Sequence, residues 1–227
     1  MLTVLPVPGL PEMRPGDVLA DLLAAAVELR DGDVVVVTQK VVSKVEGRVV
    51  PVPPEGAKAL VEAEAVRVLR RRDELLITET RHGFVCANAG VDLSNVEGGY
   101  AALLPIDPDR SARRIRDGLR AVAGVEVGVI VSDTFGRAWR RGVVDVAIGC
   151  AGVAAVVDLR GTQDAVGREL QVTEMAVADE IAAAAELVMG KAAGVPAAVV
   201  RGVEPAWLRE GSVAEEIVRP PGEDLFR

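Results

Sequence analysis

Asp31-Gly32-Asp33-Val34-Val35-Val36-Val37-Thr38-Gln39-Lys40 is the stretch on which the fold class turns. Asp-Gly-Asp supplies a turn, and the four valines after it cannot alternate between a wet face and a dry one. An unbroken β-branched run reads as a strand covered on both sides. Residues 125–131 have the same character, and 196–200 reads as a last strand. Residues 4–7 form a short apolar segment before the Pro8-Gly9-Leu10-Pro11 turn, 45–52 a second strand, and 143–158 closely packed strand rich in Gly, Ala and Val. Residues 75–78 and 83–86 read as short strands flanking Arg81-His82.

Helical spacing appears at 17–29, with Asp17 as N-cap and Val18, Leu22 and Ala25 on one face. It recurs at 57–72, whose basic end suits the helix dipole, and at 112–122. The clearest case is 173–189, where Val177, Ile181, Ala184 and Val188 align against Asp179, Glu180 and Glu186. Residues 219–222, Arg-Pro-Pro-Gly, read as extended. Helices and strands mix without strict alternation, which predicts an α+β fold. No repeat or low-complexity linker divides residues 1–227, so the chain reads as one domain.

Composition narrows the function. The 227 residues are 50% hydrophobic and 26% charged, as in an ordinary globular chain long enough for a sizeable core. Aromatics make up 3%, too few for a base-stacking platform. A net charge of −8 argues against generic nucleic-acid or membrane binding, although bases concentrated locally can still hold an anion. Cys86 and Cys150 form no CxxC pair and read as small buried hydrophobes in a reducing compartment. The N-terminus lacks a basic leader, and the uncharged run 146–157 falls short of the ~20 residues a membrane helix needs. A cytoplasmic protein is expected.

Four segments could carry chemistry, and each has a plainer reading beside it. In Cys86-Ala87-Asn88-Ala89-Gly90-Val91-Asp92-Leu93-Ser94-Asn95, small residues permit close backbone approach, and Asp92 and Asn95 offer a carboxylate and an amide to one ion or phosphate. An Asx-type turn would use the same residues. In Ser132-Asp133-Thr134-Phe135-Gly136-Arg137-Ala138-Trp139-Arg140-Arg141, a carboxylate and a hydroxyl end a buried strand and three arginines follow. That suits a hard cation with phosphate, or a helix N-cap with surface arginines. Thr38-Gln39-Lys40-Val41-Val42-Ser43-Lys44 leaves the valine strand with phosphate-binding residue types, as many strand exits do.

The fourth, Met189-Gly190-Lys191-Ala192-Ala193-Gly194, ends the long helix. It is not a P-loop, because Ala185 stands where the first glycine belongs and Ala192 where Ser or Thr belongs. Gly190 as a helix cap is the alternative. Oxygen donors without a His or Cys cluster favour Mg²⁺ or Mn²⁺ over Zn²⁺. The sole histidine, His82, reads as structural, and no Ser/His/Asp or Cys/His nucleophile set can be assembled.

Gly9-Leu10-Pro11, VVVVTQKVVSKVEGR, RHGFVCANAGVDLSNV, VSDTFGRAWRRG, TEMAVADEIAAAAELVMGK and VVRG, in this order, closely resemble the coenzyme F-420-0:L-glutamate ligase family over about residues 4 to 225. The resemblance implies a mixed α/β fold particular to that family and an intertwined two-fold homodimer with its site near the subunit interface. It implies an enzyme that uses GTP and a divalent metal to join L-glutamate to F-420-0, then a further glutamate through a γ-linkage. By resemblance the metal ligands fall on Asp92 and Asp133, with Thr134 beside them. GTP contacts fall on Leu10, Pro11, Glu12, Met13, Gln39, Lys44 and Asn95, closed by Met189, Gly190, Lys191, Ala192, Ala193, Gly194, Val195 and Pro196.

Lys191 departs from the acidic or amide ligand that some members place near here, so the resemblance supplies no third ligand from that loop. Lys40, Arg137, Arg140 and Arg141 would give local positive charge to a strongly anionic substrate. Some relatives carry a C-terminal nitroreductase-like domain; with the chain ending at Arg227, that second activity is expected to be absent. The rival readings are a ligase with another acceptor, and a non-catalytic nucleotide-binding partner of a nitroreductase-like protein.

Overall fold

The four valines form the middle of a five-stranded mixed sheet in the computed structural model, which describes residues 1–224. In chain order the elements are β1 (Thr3–Pro6), α1 (Leu19–Ala26), β2 (Val34–Thr38), α2 (Gln39–Val45), β3 (Val49–Pro51), α3 (Ala57–Glu64), β4 (Ala65–Arg72), β5 (Leu75–Thr80), β6 (Val85–Ala87), β7 (Tyr100–Ala102), α4 (Pro108–Ala123), β8 (Gly128–Arg137), β9 (Arg140–Ala151), β10 (Val157–Asp158), β11 (Glu174–Met175), α5 (Val177–Met189), β12 (Ala197–Arg201) and α6 (Val213–Glu216). The central sheet runs β1-β12-β2-β8-β9, with β2 and β8 parallel and the other pairings antiparallel.

Val34 to Val37 are each fully buried, which requires cover on both faces. α4 packs on β8, β9 and α1, while α5 lies against β9, β12 and β1. α4 starts well: Asp107 caps it by accepting from the Arg110 N–H, Pro108 opens it, and Gly124 closes it in the left-handed region. Gly149 on β9 lets α4 approach, since a Cβ there would sit 2.3 Å from the Pro108 carbonyl carbon. The buried Asp109 carboxylate accepts from the Cys150, Val213 and Ala214 N–H groups and from Ser212 Oγ, which ties the C-terminal segment to the same strand.

A smaller unit sits beside this core. β4, β5 and β6 form an antiparallel sheet, and α3 packs on it through a small cluster of Val61, Leu76 and Ala89. β3 and β7 pair alongside. Glu64 accepts from Arg48 at 2.8 Å and Arg81 at 2.7 Å, linking the unit's parts. His82 stacks on Phe84, and its Nε2 lies 2.9 Å from the Pro105 carbonyl oxygen and 3.1 Å from that of Ile106. That is the structural role read from the sequence.

The mixed α/β architecture agrees with the sequence reading, but several elements differ. The helix expected over 57–72 stops at Glu64, and residues 65–72 become β4 because Val66 and Val68 sit in a segment that pairs with β5. Cross-strand partners, among them Arg67 with Glu79, outweigh helical propensity there. The strand expected over 45–52 shrinks to Val49–Pro51, since α2 carries the chain through Val45 with Val41 and Val42 turned into the core. Asp17 does not cap α1; it accepts from the Arg14 N–H in a turn, and the helix starts at Leu19. The expected 143–158 strand divides into β9 and β10, and 173–189 into β11 and α5. The tail expected to be extended makes a 3₁₀ turn over Pro221–Glu223. Among the described residues no helix is long and apolar enough to cross a membrane.

Candidate functional site

β2 and β8 are parallel neighbours, and at their carboxyl ends, Thr38 and Ser132, the chain leaves a cavity of about 410 Å³. Ligands of open α/β sheets bind in this place, outside the carboxyl ends of parallel strands, and the volume lies within the usual range for small-molecule sites. Its walls come from segments singled out in the sequence: residues 10–13, the start of α2, the loop after β6, the loop after α5 and, on β8, residues 132–134. Asp145 on β9 joins them across the β8–β9 hairpin.

Asp133 and Thr134 do not cap a helix. They lie within β8, where the pairing places Thr134 opposite Asp145 and Asp133 opposite Val146 on β9. Asp145 is 1% exposed, so its carboxylate must be satisfied internally. It accepts from Ser132 Oγ at 2.9 Å, Thr134 Oγ1 at 2.6 Å and Lys191 Nζ at 2.8 Å. Lys191 Nζ also contacts Thr134 Oγ1, and Glu186 Oε1 at 3.0 Å. Burial pushes the Asp133 carboxyl up to about 7; the charges of Asp145 and Asp92 add to that rise, while the Thr134 N–H and Lys191 oppose it.

The opposite rim is built on the smaller unit. Asn88, Ala89 and Gly90 follow one another in the left-handed region, with φ of 51°, 52° and 69°. Two side-chain bonds over-determine this strained turn: Asn88 Oδ1 accepts from the Leu76 N–H, and Thr78 Oγ1 from the Ala89 N–H. At Gly90 a Cβ would lie 2.7 Å from Leu104. The turn delivers Asp92, whose backbone exchanges both bonds with Ala102. Asp92 Oδ2 meets Lys40 Nζ at 2.7 Å, and Oδ1 accepts from the Ser94 N–H. Burial raises the Asp92 carboxyl, but the bonds from Lys40 and Ser94 outweigh it and leave its pKa below the ordinary value.

α2 supplies the floor. Gln39 is buried, with its side-chain amide 2.9 Å from Ser43 Oγ, whose hydroxyl donates to the Leu103 carbonyl at 2.6 Å. Lys44 reaches across to Glu12 in the N-terminal turn.

Of the expected residues, Leu10, Pro11, Glu12, Met13, Gln39, Lys40, Lys44, Asp92, Asn95, Asp133, Thr134, Gly190, Lys191, Ala192, Gly194, Val195 and Pro196 line this one cavity. Met189 is buried, and neither it nor Ala193 is among the lining residues. Arg137, Arg140 and Arg141 stand exposed at the outer end of the hairpin, outside the lining, with Arg137 Nη2 donating to the Arg141 carbonyl. Sequence reasoning missed Ser132 as a lining residue, Ser94 and, above all, Asp145. A hairpin reading of 128–151 would have set Asp145 opposite Thr134.

The donor set suits a hard cation. Asp92, Asp133 and Thr134 offer oxygen alone, and the carboxylates repel one another enough to help raise the Asp133 pKa. Lysine ammoniums neutralise acids on both rims. Among the described residues no three His, Cys, Asp or Glu side chains form a ready cage. That fits Mg²⁺ or Mn²⁺, which are held through one or two carboxylates plus ligand phosphates. Cys86 and Cys150 are buried, and burial pushes the Cys86 thiol up to about 12, which disfavours the thiolate that a nucleophile requires.

Comparison with known proteins identifies the family. A family model described as F420-0:Gamma-glutamyl ligase matches residues 9–202. A coenzyme F420:L-glutamate ligase of Methanopyrus kandleri is 47% identical over 246 residues, covering 100% of this chain and 98% of that protein. The ligases of the same name from Archaeoglobus fulgidus and Methanothermobacter thermautotrophicus are 47% and 42% identical, covering 99% and 100% of this chain and 96% and 99% of their own lengths.

Proposed function

The chain belongs to the F420-0:gamma-glutamyl ligase family, and from that premise we propose that it joins L-glutamate to coenzyme F-420-0, then a further glutamate by a γ-linkage, at the expense of GTP. The observation that carries this reading is the meeting of Asp92, Asp133 and three lysines, Lys40, Lys44 and Lys191, in one cavity at the carboxyl ends of β2 and β8.

In this reading the triphosphate lies along the start of α2 and the 190–196 loop, where Lys44 and Lys40 meet phosphate oxygens and residues 10–13 cover the nucleoside. A Mg²⁺ or Mn²⁺ ion held by Asp92 and Asp133 beside Thr134 neutralises phosphate charge when bound. A carboxylate oxygen of the coenzyme's tail attacks the γ-phosphorus, the bond to the β-phosphate oxygen breaks, and GDP leaves. The resulting acyl phosphate is attacked at its carbonyl carbon by the amine of L-glutamate. Phosphate departs, the amine loses a proton, and an amide remains. No protein nucleophile is required; the chain positions the reactants and keeps water out, as its lack of a nucleophile set suits.

Arg137, Arg140 and Arg141 lie about three residues and more beyond Thr134 along the hairpin, on the order of 10 Å at strand spacing. They serve the far, anionic part of the coenzyme or a second subunit's site in a homodimer. The reading places the enzyme in the cytoplasm, with no nucleic-acid or membrane partner.

Incubation with F-420-0, L-glutamate, GTP and Mn²⁺, followed by mass spectrometry, is expected to show glutamyl units added to the coenzyme. GTP turnover with another acid acceptor and none with F-420-0 would favour a related ligase. Nucleotide binding without any turnover would favour a non-catalytic partner.

A further inference from the structure

The geometry points to Lys191 as a tethered cation that fills the Thr134–Asp145–Glu186 corner of the cavity, so that this corner takes no metal ion and the site's divalent metal is left to Asp92 and Asp133. The inference rests on the metal-using reading above and refines it at the corner where Lys191 meets Thr134 and Asp145.

Three oxygens from three elements converge on one ammonium. Thr134 Oγ1 comes from β8, Asp145 Oδ1 from β9 at 2.8 Å, and Glu186 Oε1 from α5 at 3.0 Å. An ammonium has three N–H donors and no acceptor, so these partners saturate it. Ser132 and Thr134 each donate to one Asp145 oxygen, but both donors are neutral, so Lys191 is the one partner among the described residues that balances the charge of this buried carboxylate. Asp145 and Glu186 side chains are 2% and 20% exposed, and two carboxylates this sheltered require a positive charge between them. A hydroxyl with two carboxylates is also a donor set that a hard divalent cation accepts. Lys191 and such an ion therefore compete for one place.

The chain around Lys191 is shaped to deliver it. α5 stops at Met189, and Gly190 turns the chain at φ 61°. Lys191 returns over the last turn of its own helix to Glu186 while reaching the hairpin. Its stem remains half exposed at the cavity wall, and only the charged end enters the acidic corner. A cation fixed in this way cannot be stripped by chelator or exchanged with the medium. Lys191 thus acts as a positioning residue that holds Thr134 and Asp145 together at the cavity wall.

The test counts bound Mn²⁺ per chain by the electron paramagnetic resonance of the free aqueous ion, in folded protein titrated with Mn²⁺ alone. Lys191→Ala is expected to bind one more ion per chain than the wild type, and Lys191→Arg, which keeps the charge, none more. An unchanged count in Lys191→Ala, or an equal gain in Lys191→Arg, would overturn the assignment. If Lys191→Ala unfolds in chelator, restoration of its circular dichroism by Mn²⁺ supports the assignment and failure to restore it counts against it. Asp133→Asn in both backgrounds separates the two readings. Loss of one ion there tests the Asp92–Asp133 metal, and the gain on removing Lys191 tests the corner independently.

Discussion

Asp133 and Asp92 face one cavity from supports of different depth. Behind Asp133 stand the five-stranded sheet and a continuous core from Val7 to Val213. Behind Asp92 stand a three-stranded sheet and three buried residues, Val61, Leu76 and Ala89. The first rim is held by packing, with the Asp145 network added to it. The second is held by polar clips: Lys40 on Asp92, Asn88 and Thr78 on the strained turn, Glu64 between two arginines, and His82 on the 105–106 carbonyls. A site divided in this way can keep one edge fixed while the other adjusts to a ligand.

The largest effect should come from the fixed rim. Asp133→Asn should lower glutamate-dependent GTP hydrolysis by at least about a hundredfold, the scale of losing one preorganised electrostatic contact. Its melting temperature should hold or rise, because burial disfavours the ionised carboxyl that Asn replaces. Full turnover in metal-replete buffer would remove Asp133 from the mechanism. Lys40→Met frees Asp92 without touching the core. It should cost roughly tenfold in kcat/KM, about 1.4 kcal/mol, with little loss of stability; a loss as large as that of Asp133→Asn would erase the distinction between the rims.

Glu64→Gln leaves Arg48 and Arg81 without their shared carboxylate. A cost of about 1–3 kcal/mol is expected in denaturant unfolding, with amide exchange quickened in β4–β6 before β2 and β8. The smallest effect concerns pH. Burial, with the charge of Arg81 adding to it, holds the His82 pKa below its ordinary 6.5 against the pull of the two carbonyls and Glu64. The buried Nδ1 has no hydrogen-bond partner among the described residues, so a second proton would go unsatisfied there. Below pH 6.5 the unfolded chain takes up the proton first, and stability falls as pH drops from there toward the folded-state pKa. Intrinsic-rate-corrected hydrogen exchange should show the 80–85 segment loosening in that window while β2 stays protected; equal loosening of both would contradict the comparison.

The two rims were also unequally legible in the sequence. The valine run announces β2, because burial on both faces leaves a compositional mark that depends on no partner. Asp92 and Asp133 stand out through their flanking small residues and the strand before each, and the family resemblance added the nucleotide loops. Asp145 left no such mark. It lies twelve residues beyond Asp133 in sequence, and only the length of the β8–β9 hairpin brings it beside Thr134. The smaller unit was misread where β4 follows α3 without a breaker, since Ala65 to Arg72 satisfies helical propensity until β5 offers a partner. Lys191 reads as a departure in the sequence, and its three oxygen partners become visible only when α5, β8 and β9 are folded together.

The central claim is that GTP activates the coenzyme's carboxylate in the cavity between the rims, and the fate of a labelled oxygen tests it most directly. With heavy oxygen in the acceptor carboxylate of F-420-0, one turnover with L-glutamate and GTP should carry one labelled oxygen into the inorganic phosphate released. Amide product formed while the phosphate stays unlabelled would contradict an acyl phosphate and the account built on it.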